Sequence, residues 1–275
     1  MAVTLRVEND LPFRIGSTSK RIGLVELPGL KDPERIKSLL GKTAKLNFRL
    51  VSENSEFGIE LLFFCSCKLS KLIFSCSQSF GIQSLKDCGL EALTGGGAEI
   101  FQSEVRKKIA TGKESASEYL DVHRRWHLLG GKSTCTMLFG HVESLEDRID
   151  HLRQLRELQD ETGGFSGFVP LPYQPENNAI PVKHPPTAND MLRTIAISRL
   201  FLDNFDHITA YWVGMGLKTA QIALNYGADD IHGTIVEEHI FRMAGAGSAN
   251  GQSEAAMRQA ILEAGKEPFQ RDTFY

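Results

Sequence analysis

Thr134-Cys135-Thr136-Met137-Leu138-Phe139-Gly140-His141-Val142-Glu143-Ser144 joins a strand to a helix with one short turn. Residues 134–139 form a run dense in apolar and β-forming side chains, as a buried strand requires, and Gly140 ends it. Ser144 suits a helix N-cap, because its hydroxyl accepts from a free amide of the first turn. Leu145, Ile149, Leu152 and Leu155 then fall on one stripe of a helix. Residues 165–171 read as the next strand, and a loop rich in proline, from Pro170 to Pro186, follows it.

The same alternation extends both ways. Upstream, residues 91–94 read as a short strand ending in Gly95-Gly96-Gly97. Ser115 and Glu118 make a capping box before a helix that carries Tyr119, Val122, Trp126 and Leu129 on one face. Downstream, Thr187 starts a helix that runs to Leu202, residues 208–213 read as a strand, and residues 217–226 as a helix stopped by Gly227. A last strand is expected over 231–236 and a last helix over 253–264. Strand alternating with helix predicts an α/β fold with a parallel sheet, open or closed into a barrel.

In such folds ligands meet the carboxyl ends of the strands. Those ends collect Gly95, Gly96, Gly97 and Glu99, then Gly140, His141 and Glu143, then Pro172, Tyr173, Gln174 and Glu176, then Met215 and Gly216. Gly95, Gly96, Gly97, Glu99, Gly140, His141 and Glu143 are therefore the candidate ligand-binding residues. Each has a plainer alternative. A glycine run also makes a tight turn, and His141 with Glu143 can cap a turn before Ser144. Asp229 and Asp230 can face a ligand or close a turn after Gly227. His123 and His127 have the spacing of metal ligands on a helix, but no acidic partner completes a set. No metal-binding residue is assigned.

The amino-terminal part has a different texture. Gly23-Leu24-Val25-Glu26-Leu27 reads as a strand, Asp32-Pro33 starts a helix ended near Gly41, and residues 44–50 alternate as a half-buried strand. This is a β-α-β segment within residues 1–57. Residues 58–80 show no period and read as an irregular junction, and residues 81–275 form the regular third part. Arg6, Arg14, Lys20 and Arg21 read as a solvated surface.

Composition narrows the function. The chain has 275 residues, 31 Lys and Arg against 34 Asp and Glu, and a net charge of −3. That balance gives no global case for nucleic-acid binding. Residues 57–76 are apolar but carry Glu60, Lys68 and Lys71, which argues against a membrane span. The start is not a signal peptide, and the 5 cysteines are an odd number in a long chain, so a cytoplasmic location is expected. A small-molecule substrate is the expected partner, and a homo-oligomer is open.

Several pieces occur in order: Gly95-Gly96-Gly97-Ala98-Glu99-Ile100-Phe101, residues 136–143, Asp160-Glu161-Thr162-Gly163-Gly164-Phe165, Leu202-Asp203-Asn204, residues 207–212, Gly227-Ala228-Asp229-Asp230 and Glu237-Glu238. Over residues 81–275 this series resembles the radical S-adenosylmethionine enzymes of the futalosine route to menaquinone. Ala210-Tyr211-Trp212, Gly216-Leu217-Lys218 and Asp229-Asp230 look more like aminofutalosine synthase than its sister, the dehypoxanthine futalosine cyclase. The resemblance implies a partial TIM-like (β/α) barrel whose first strands are missing here. It implies a transferase of menaquinone biosynthesis that uses S-adenosylmethionine and a [4Fe-4S] iron–sulfur cluster. In that family a 5′-deoxyadenosyl radical adds to a carboxyvinyloxy-benzoate. The family's Cys-x3-Cys-x2-Cys cluster motif is absent. Cys65, Cys67, Cys76, Cys88 and Cys135 have no such spacing.

Val25-Glu26-Leu27-Pro28-Gly29, Asp32-Pro33 and residues 40–48 resemble the periplasmic part of the protein-export subunit SecD, over residues 22–51. Two readings follow. One is an enzyme of the synthase type that lacks its usual cluster motif. The other is a chain joined from two unrelated coding pieces, inactive as an enzyme or serving as an interaction module.

Overall fold

The computed structural model describes residues 3–8, 22–27, 50–51, 78–87, 89–235, 238, 240–249 and 251–272. The chain divides into two compact units, Met1–Ala92 and Leu93–Tyr275.

In the first unit, β1 (Val3–Glu8) lies between β2 (Ile22–Leu27) and β3 (Leu50–Val51), and pairs antiparallel with both. Val3 faces Leu27 across one ladder, and Leu5 faces Leu50 across the other. The strand expected at 23–27 is β2. β1 adds a strand to the expected elements, with Val3, Leu5 and Val7 alternating with Thr4, Arg6 and Glu8. The helix expected after Asp32 and residues 44–49 lie outside the described residues. So do Cys65, Cys67, Cys76 and Cys88. Helix α1 (Gln78–Asp87) follows.

The second unit holds the expected α/β architecture. A four-stranded sheet runs in the order β4 (Ala92–Leu93), β5 (Lys132–Phe139), β6 (Phe165–Pro172), β7 (His207–Ile208). β5 pairs parallel with β6, and β6 with β7. Between the strands come α2 (Ser103–Ile109), α3 (Ala116–Leu128), α4 (Leu145–Thr162) and α5 (Ala188–Phe201). After β7 come α6 (Trp212–Met215), α7 (Leu217–Ala223), α8 (Ile240–Met243) and α9 (Glu254–Glu263). This is a consecutive parallel arrangement of the kind a partial (β/α) barrel leaves.

Register separates the two faces of β5 and β6. Cys135 pairs with Phe168, Met137 with Pro170 and Phe139 with Pro172, so these six side chains share one face, and all are buried. Leu152, Leu155 and Leu158 of α4 and Ile195 of α5 are buried in the same core. On the opposite face Leu138, Val169 and Leu171 remain half-buried. A parallel sheet is ordinarily covered on both faces, and this face is covered less than the other.

Several local expectations change. On α4, Leu145 and Ile149 are exposed, and the buried stripe is His151, Leu152, Leu155, Leu158 and Gln159. Polar members of that stripe satisfy backbone groups: His151 Nε2 donates to the Thr136 carbonyl (2.9 Å), and the Gln159 amide bonds both the Phe165 N–H and C=O. On α3, His123 and His127 are buried beside Tyr119 and Trp126, whereas Val122 and Leu129 are only half-buried. The strand expected over 208–213 ends at Ile208, because the chain turns into α6. The strand expected over 231–236 is absent from the described residues 231–235. A single parallel bridge joins Thr209 to Asp230, and His232 takes φ +67°, which no extended strand accepts.

A buried chain of side-chain hydrogen bonds ties α3, β5 and the end of α4 together. The Thr162 hydroxyl donates to the Leu158 carbonyl, so its oxygen is free to accept from His127 Nδ1 (2.8 Å). His127 Nε2 must then accept from Ser133 Oγ (2.7 Å), whose oxygen accepts from His123 Nδ1 (2.8 Å). Each step determines the next tautomer, and both imidazoles are neutral. Burial pushes the His123 imidazole down to about 3 and that of His127 down to about 4. Among the described residues no helix is long and apolar enough to cross a membrane. Residues 57–76 lie outside that description.

Candidate functional site

After β4 the chain turns at Gly96 and Gly97 without leaving β5. It continues alongside β5. Gly95 N donates to Thr134 Oγ1, and the Gly95 carbonyl accepts from Tyr119 OH (2.8 Å) and Thr136 Oγ1 (2.7 Å). A Cβ at Gly95 would sit 2.3 Å from Cys135 Cα, so this glycine lets two backbones touch. Gly96 is exposed. Gly97 has φ +102°, and a Cβ there would come 2.9 Å from Glu114 Oε1.

Glu99 ends this path. It takes φ +48°, a left-handed conformation uncommon outside glycine. Its carbonyl accepts from Leu138 N (2.8 Å), and its carboxylate pairs with Lys113 Nζ at 2.5 Å. The buried Arg106 of α2 donates from Nη2 to the Gly97 carbonyl (2.9 Å) and from Nη1 to the Ala98 and Ile100 carbonyls. Its Nε donates to the Glu114 carbonyl (2.7 Å), and Nη2 stands 3.6 Å from Glu114 Oε1. Burial pushes the Arg106 guanidinium below its ordinary value, against the raising influence of Glu114 and Glu99.

At the end of β5 the chain makes a tight turn. Gly140 has φ +86°, and a Cβ on it would meet Pro186 at 2.7 Å. Glu143 curls back under the turn: one oxygen accepts from Gly140 N (2.5 Å) and Arg148 Nε (2.8 Å), the other from His141 N (2.8 Å). His141 Nε2 donates to the Leu138 carbonyl (3.0 Å), while Nδ1 lies 2.8 Å from Glu143 Oε2. Burial raises the Glu143 carboxyl, but the His141 hydrogen bond and charge, the Gly140 amide and Arg148 outweigh it and hold the group at about 2.

The charge on Glu143 therefore organises the turn, and neutralising it has a calculable cost. Glu143→Gln is expected to lower stability by about 1–3 kcal/mol at neutral pH, the range for weakening a buried charged acceptor. Because the folded group lies below the ordinary carboxylate value, its contribution is present above about pH 4.5 and lost as pH falls toward 2. The difference between the two urea midpoints at pH 7 measures that contribution. An unchanged midpoint at pH 7 would remove Glu143 from this role.

Leu138 is the hinge of the candidate site. Its N–H donates to the Glu99 carbonyl and its C=O accepts from His141 Nε2, so the Glu99 main chain and the His141 ring both lie beside Leu138. Gly95 lies beside Cys135, three residues earlier and roughly 10 Å back along the strand. Thus Glu99, Gly140, His141 and Glu143 gather at one end, and Gly95 and Gly97 pack the approach to it. Beyond β6, Tyr173 N donates to the Phe139 carbonyl, and Gln174 Nε2 donates to the Gly214 carbonyl (2.9 Å), joining this rim to α6. Asp229 sits beside β7, accepting from Ile208 N, Arg199 and His207. Asp230 accepts from Thr209 Oγ1 and from two nitrogens of Arg271, and these partners outweigh burial to keep its carboxyl low.

Sequence reasoning missed Arg106, Lys113 and Glu114. Arg106 had a signal: it shares the buried side of α2 with Val105 and Ile109, at the spacing of an apolar face. A cleft of about 790 Å³ opens next to this group and is lined in part by Phe101, Arg106, Lys107, Lys113 and Glu114.

The described residues offer no place for an iron–sulfur cluster. No group of three His, Cys, Asp or Glu stands ready to hold a metal among them. Cys135 is fully buried, its thiol pushed well up by burial, and it donates toward the Gly167 carbonyl. His123 and His127 are both spent on Ser133.

Comparison with known proteins adds to this geometry. Residues 162–275 match the CofH/MqnC C-terminal region, and residues 16–53 match the N-terminal P1 domain of protein translocase subunit SecDF. An aminodeoxyfutalosine synthase of Thermus thermophilus is 46% identical over 198 residues, covering 70% of this chain and 53% of the relative. A cyclic dehypoxanthine futalosine synthase of Streptomyces coelicolor is 42% identical over 194 residues, 70% of this chain and 48% of the relative. A 5-amino-6-(D-ribitylamino)uracil–L-tyrosine 4-hydroxyphenyl transferase of Methanococcus vannielii is 37% identical over 225 residues, 79% of this chain and 63% of the relative. The chain spans about half the length of the first two relatives. The resemblance of its larger part to the futalosine-pathway enzymes, and of its amino-terminal part to SecD, is thereby shown.

Proposed function

We propose that the Leu93–Tyr275 unit is the ligand-binding part of a radical S-adenosylmethionine protein of menaquinone biosynthesis, of the aminodeoxyfutalosine synthase type. The observation that carries the reading is the joining of Glu99 and His141 through Leu138 at the end of β5, within a region 46% identical to such a synthase. A carboxylate held in place and already partnered by an ammonium suits the cationic end of S-adenosylmethionine. The half-covered face of β5 and β6 suits a planar benzoate. Bound there, S-adenosylmethionine supplies a radical precursor once it is reduced. The described residues do not fit the cluster that would reduce it, and no radical step is derived for this chain. Its own residues bind and orient: Glu99 takes the cation, the buried Arg106 and Glu143 hold the two turns, and Leu138 spaces them.

Equilibrium dialysis of the full chain against S-adenosylmethionine tests the reading. Saturable binding that Glu99→Gln weakens at least tenfold is the expected result, equal to about 1.4 kcal/mol. No saturable binding would overturn it. A second reading has its own observation: the SecDF match over residues 16–53, together with the absent cysteine triplet, favours a joined chain that retains the enzyme's ancestry alone. That reading expects no cofactor binding. Anaerobic treatment with iron and sulfide, followed by an assay for 5′-deoxyadenosine, separates a cofactor-binding chain from an active enzyme.

A further inference from the structure

We infer that Arg106 is a positioning residue for Glu99: its buried guanidinium grips the carbonyls of Gly97, Ala98 and Ile100, holds Glu99 between them in a left-handed conformation, and so aims its carboxylate at a ligand's cationic nitrogen. The last clause rests on the binding role proposed above, and the first does not.

The argument starts from strain. A non-glycine residue at φ +48° costs on the order of 1 kcal/mol and persists only when its surroundings over-determine it. At Glu99 they do. Arg106 bonds the carbonyl before Glu99 and the carbonyl after it, through one nitrogen, Nη1. Its second terminal nitrogen takes Gly97 O. Leu138 N takes the carbonyl of Glu99 itself. A planar guanidinium presents a fork of donors that can reach the three carbonyls flanking Glu99; a lysine ammonium is a point charge on a flexible stem. Arg106 is 6% exposed, and Glu114, its counter-charge, keeps one oxygen without a hydrogen bond while the other faces Gly97. A buried arginine spent on main-chain carbonyls is expensive to maintain. A turn needing no defined direction would not require it. Lys113 completes the arrangement as the ammonium that Glu99 already holds.

Two double-mutant cycles test this. The first needs no ligand. Arg106→Lys keeps the charge, and Glu99→Gly relieves the left-handed strain. Arg106→Lys should lower the urea midpoint clearly in the wild-type background, and by less than half as much with Gly at position 99. Equal losses in both backgrounds would overturn the positioning role, because a purely structural arginine is indifferent to strain at its neighbour. The second cycle reads S-adenosylmethionine affinity by equilibrium dialysis. Arg106→Lys should weaken binding about tenfold with Glu99 present and leave it unchanged in Glu99→Gln. Equal weakening in both would overturn the claim that Arg106 acts through Glu99. Should the wild-type chain bind no S-adenosylmethionine, the binding role fails while the first cycle still decides whether Arg106 holds the turn. If Arg106→Lys does not fold, Arg106→Met combined with Glu114→Met removes both buried charges and enters the same cycles.

Discussion

Lowering the pH from 7 to 4.5 is expected to unfold the Leu93–Tyr275 unit, or to bring its urea midpoint close to zero. Three histidines carry the effect. His123, His127 and His151 are buried, and burial pushes their imidazoles down to about 3, about 4 and about 3. His123 and His127 are locked as neutral tautomers by the Ser133–Thr162 chain. His151 donates Nε2–H to the Thr136 carbonyl and stacks on Phe101 at 3.8 Å, leaving a buried Nδ1 with no hydrogen bond. In the unfolded chain each titrates near 6.5. Below that value the unfolded state binds protons that the folded state refuses, so stability falls with pH from 6.5 until the folded values are reached. At pH 4.5 the penalty is at most about 3 kcal/mol for each histidine, on the order of 8 kcal/mol together. A domain has about 5–15 kcal/mol to lose. Urea titrations followed by tryptophan fluorescence measure this directly, since Trp126 and Trp212 are both fully buried. A midpoint that is flat between pH 6.5 and 4.5 would contradict the neutral, buried assignment. So would resonances of His123, His127 or His151 that titrate near 6.5 in the folded protein.

The second large effect is a single methyl group. Gly95→Ala is expected to cost on the order of 3 kcal/mol and to weaken any ligand bound at the β5 rim. The new Cβ would stand 2.3 Å from Cys135 Cα and within 3 Å of Cys135 N and C, all main-chain atoms of a central strand. No rotamer can relieve that overlap, so the two backbones must part, and overpacking of this kind costs about 1–3 kcal/mol or more. Parting them also disturbs three hydrogen bonds made by Gly95, to Thr134, Tyr119 and Thr136. Glu99, four residues on and tied to the same strand at Leu138, would move with them. Gly112→Ala is the control. Gly112 has a positive φ, which Gly95 lacks, but nothing lies within 4 Å of its missing Cβ, so Gly112→Ala should cost only the local strain. Thermal or urea unfolding of both variants decides the point. Equal losses would mean that the close approach to β5 carries no special cost.

These two cases separate what the chain's own pattern contains from what folding adds. Strand, glycine, cap and amphipathic helix over residues 134–155 are local signals, because hydrogen bonds within a turn and the period of side chains depend on neighbours in sequence. Ser115, Ser144 and Thr187 all cap helices through reciprocal capping boxes, and the parallel pairing of β5 with β6 follows from the crossover between them. The resemblance of residues 81–275 to the futalosine enzymes was likewise legible from ordered motifs. The failures were tertiary. The strand expected over 231–236 does not form in the described residues 231–235, where His232 turns left-handed after the single bridge at Asp230.

The same division runs through the candidate site. That Gly95, Glu99, Gly140 and His141 follow strands could be read in order along the chain. The turn that Glu143 serves is local, made with residues two to five positions away. That Gly95 serves a backbone contact and that the Glu99 carbonyl bonds the residue that also receives His141 could not be read, because each depends on a strand distant in sequence. Helical spacing set Arg106 on the face of Val105 and apart from the exposed Lys107 and Lys108, but only the fold shows the three carbonyls that take its guanidinium. Local pattern determined the elements and their order. Burial, which is shared among distant residues, decided which polar groups organise the site.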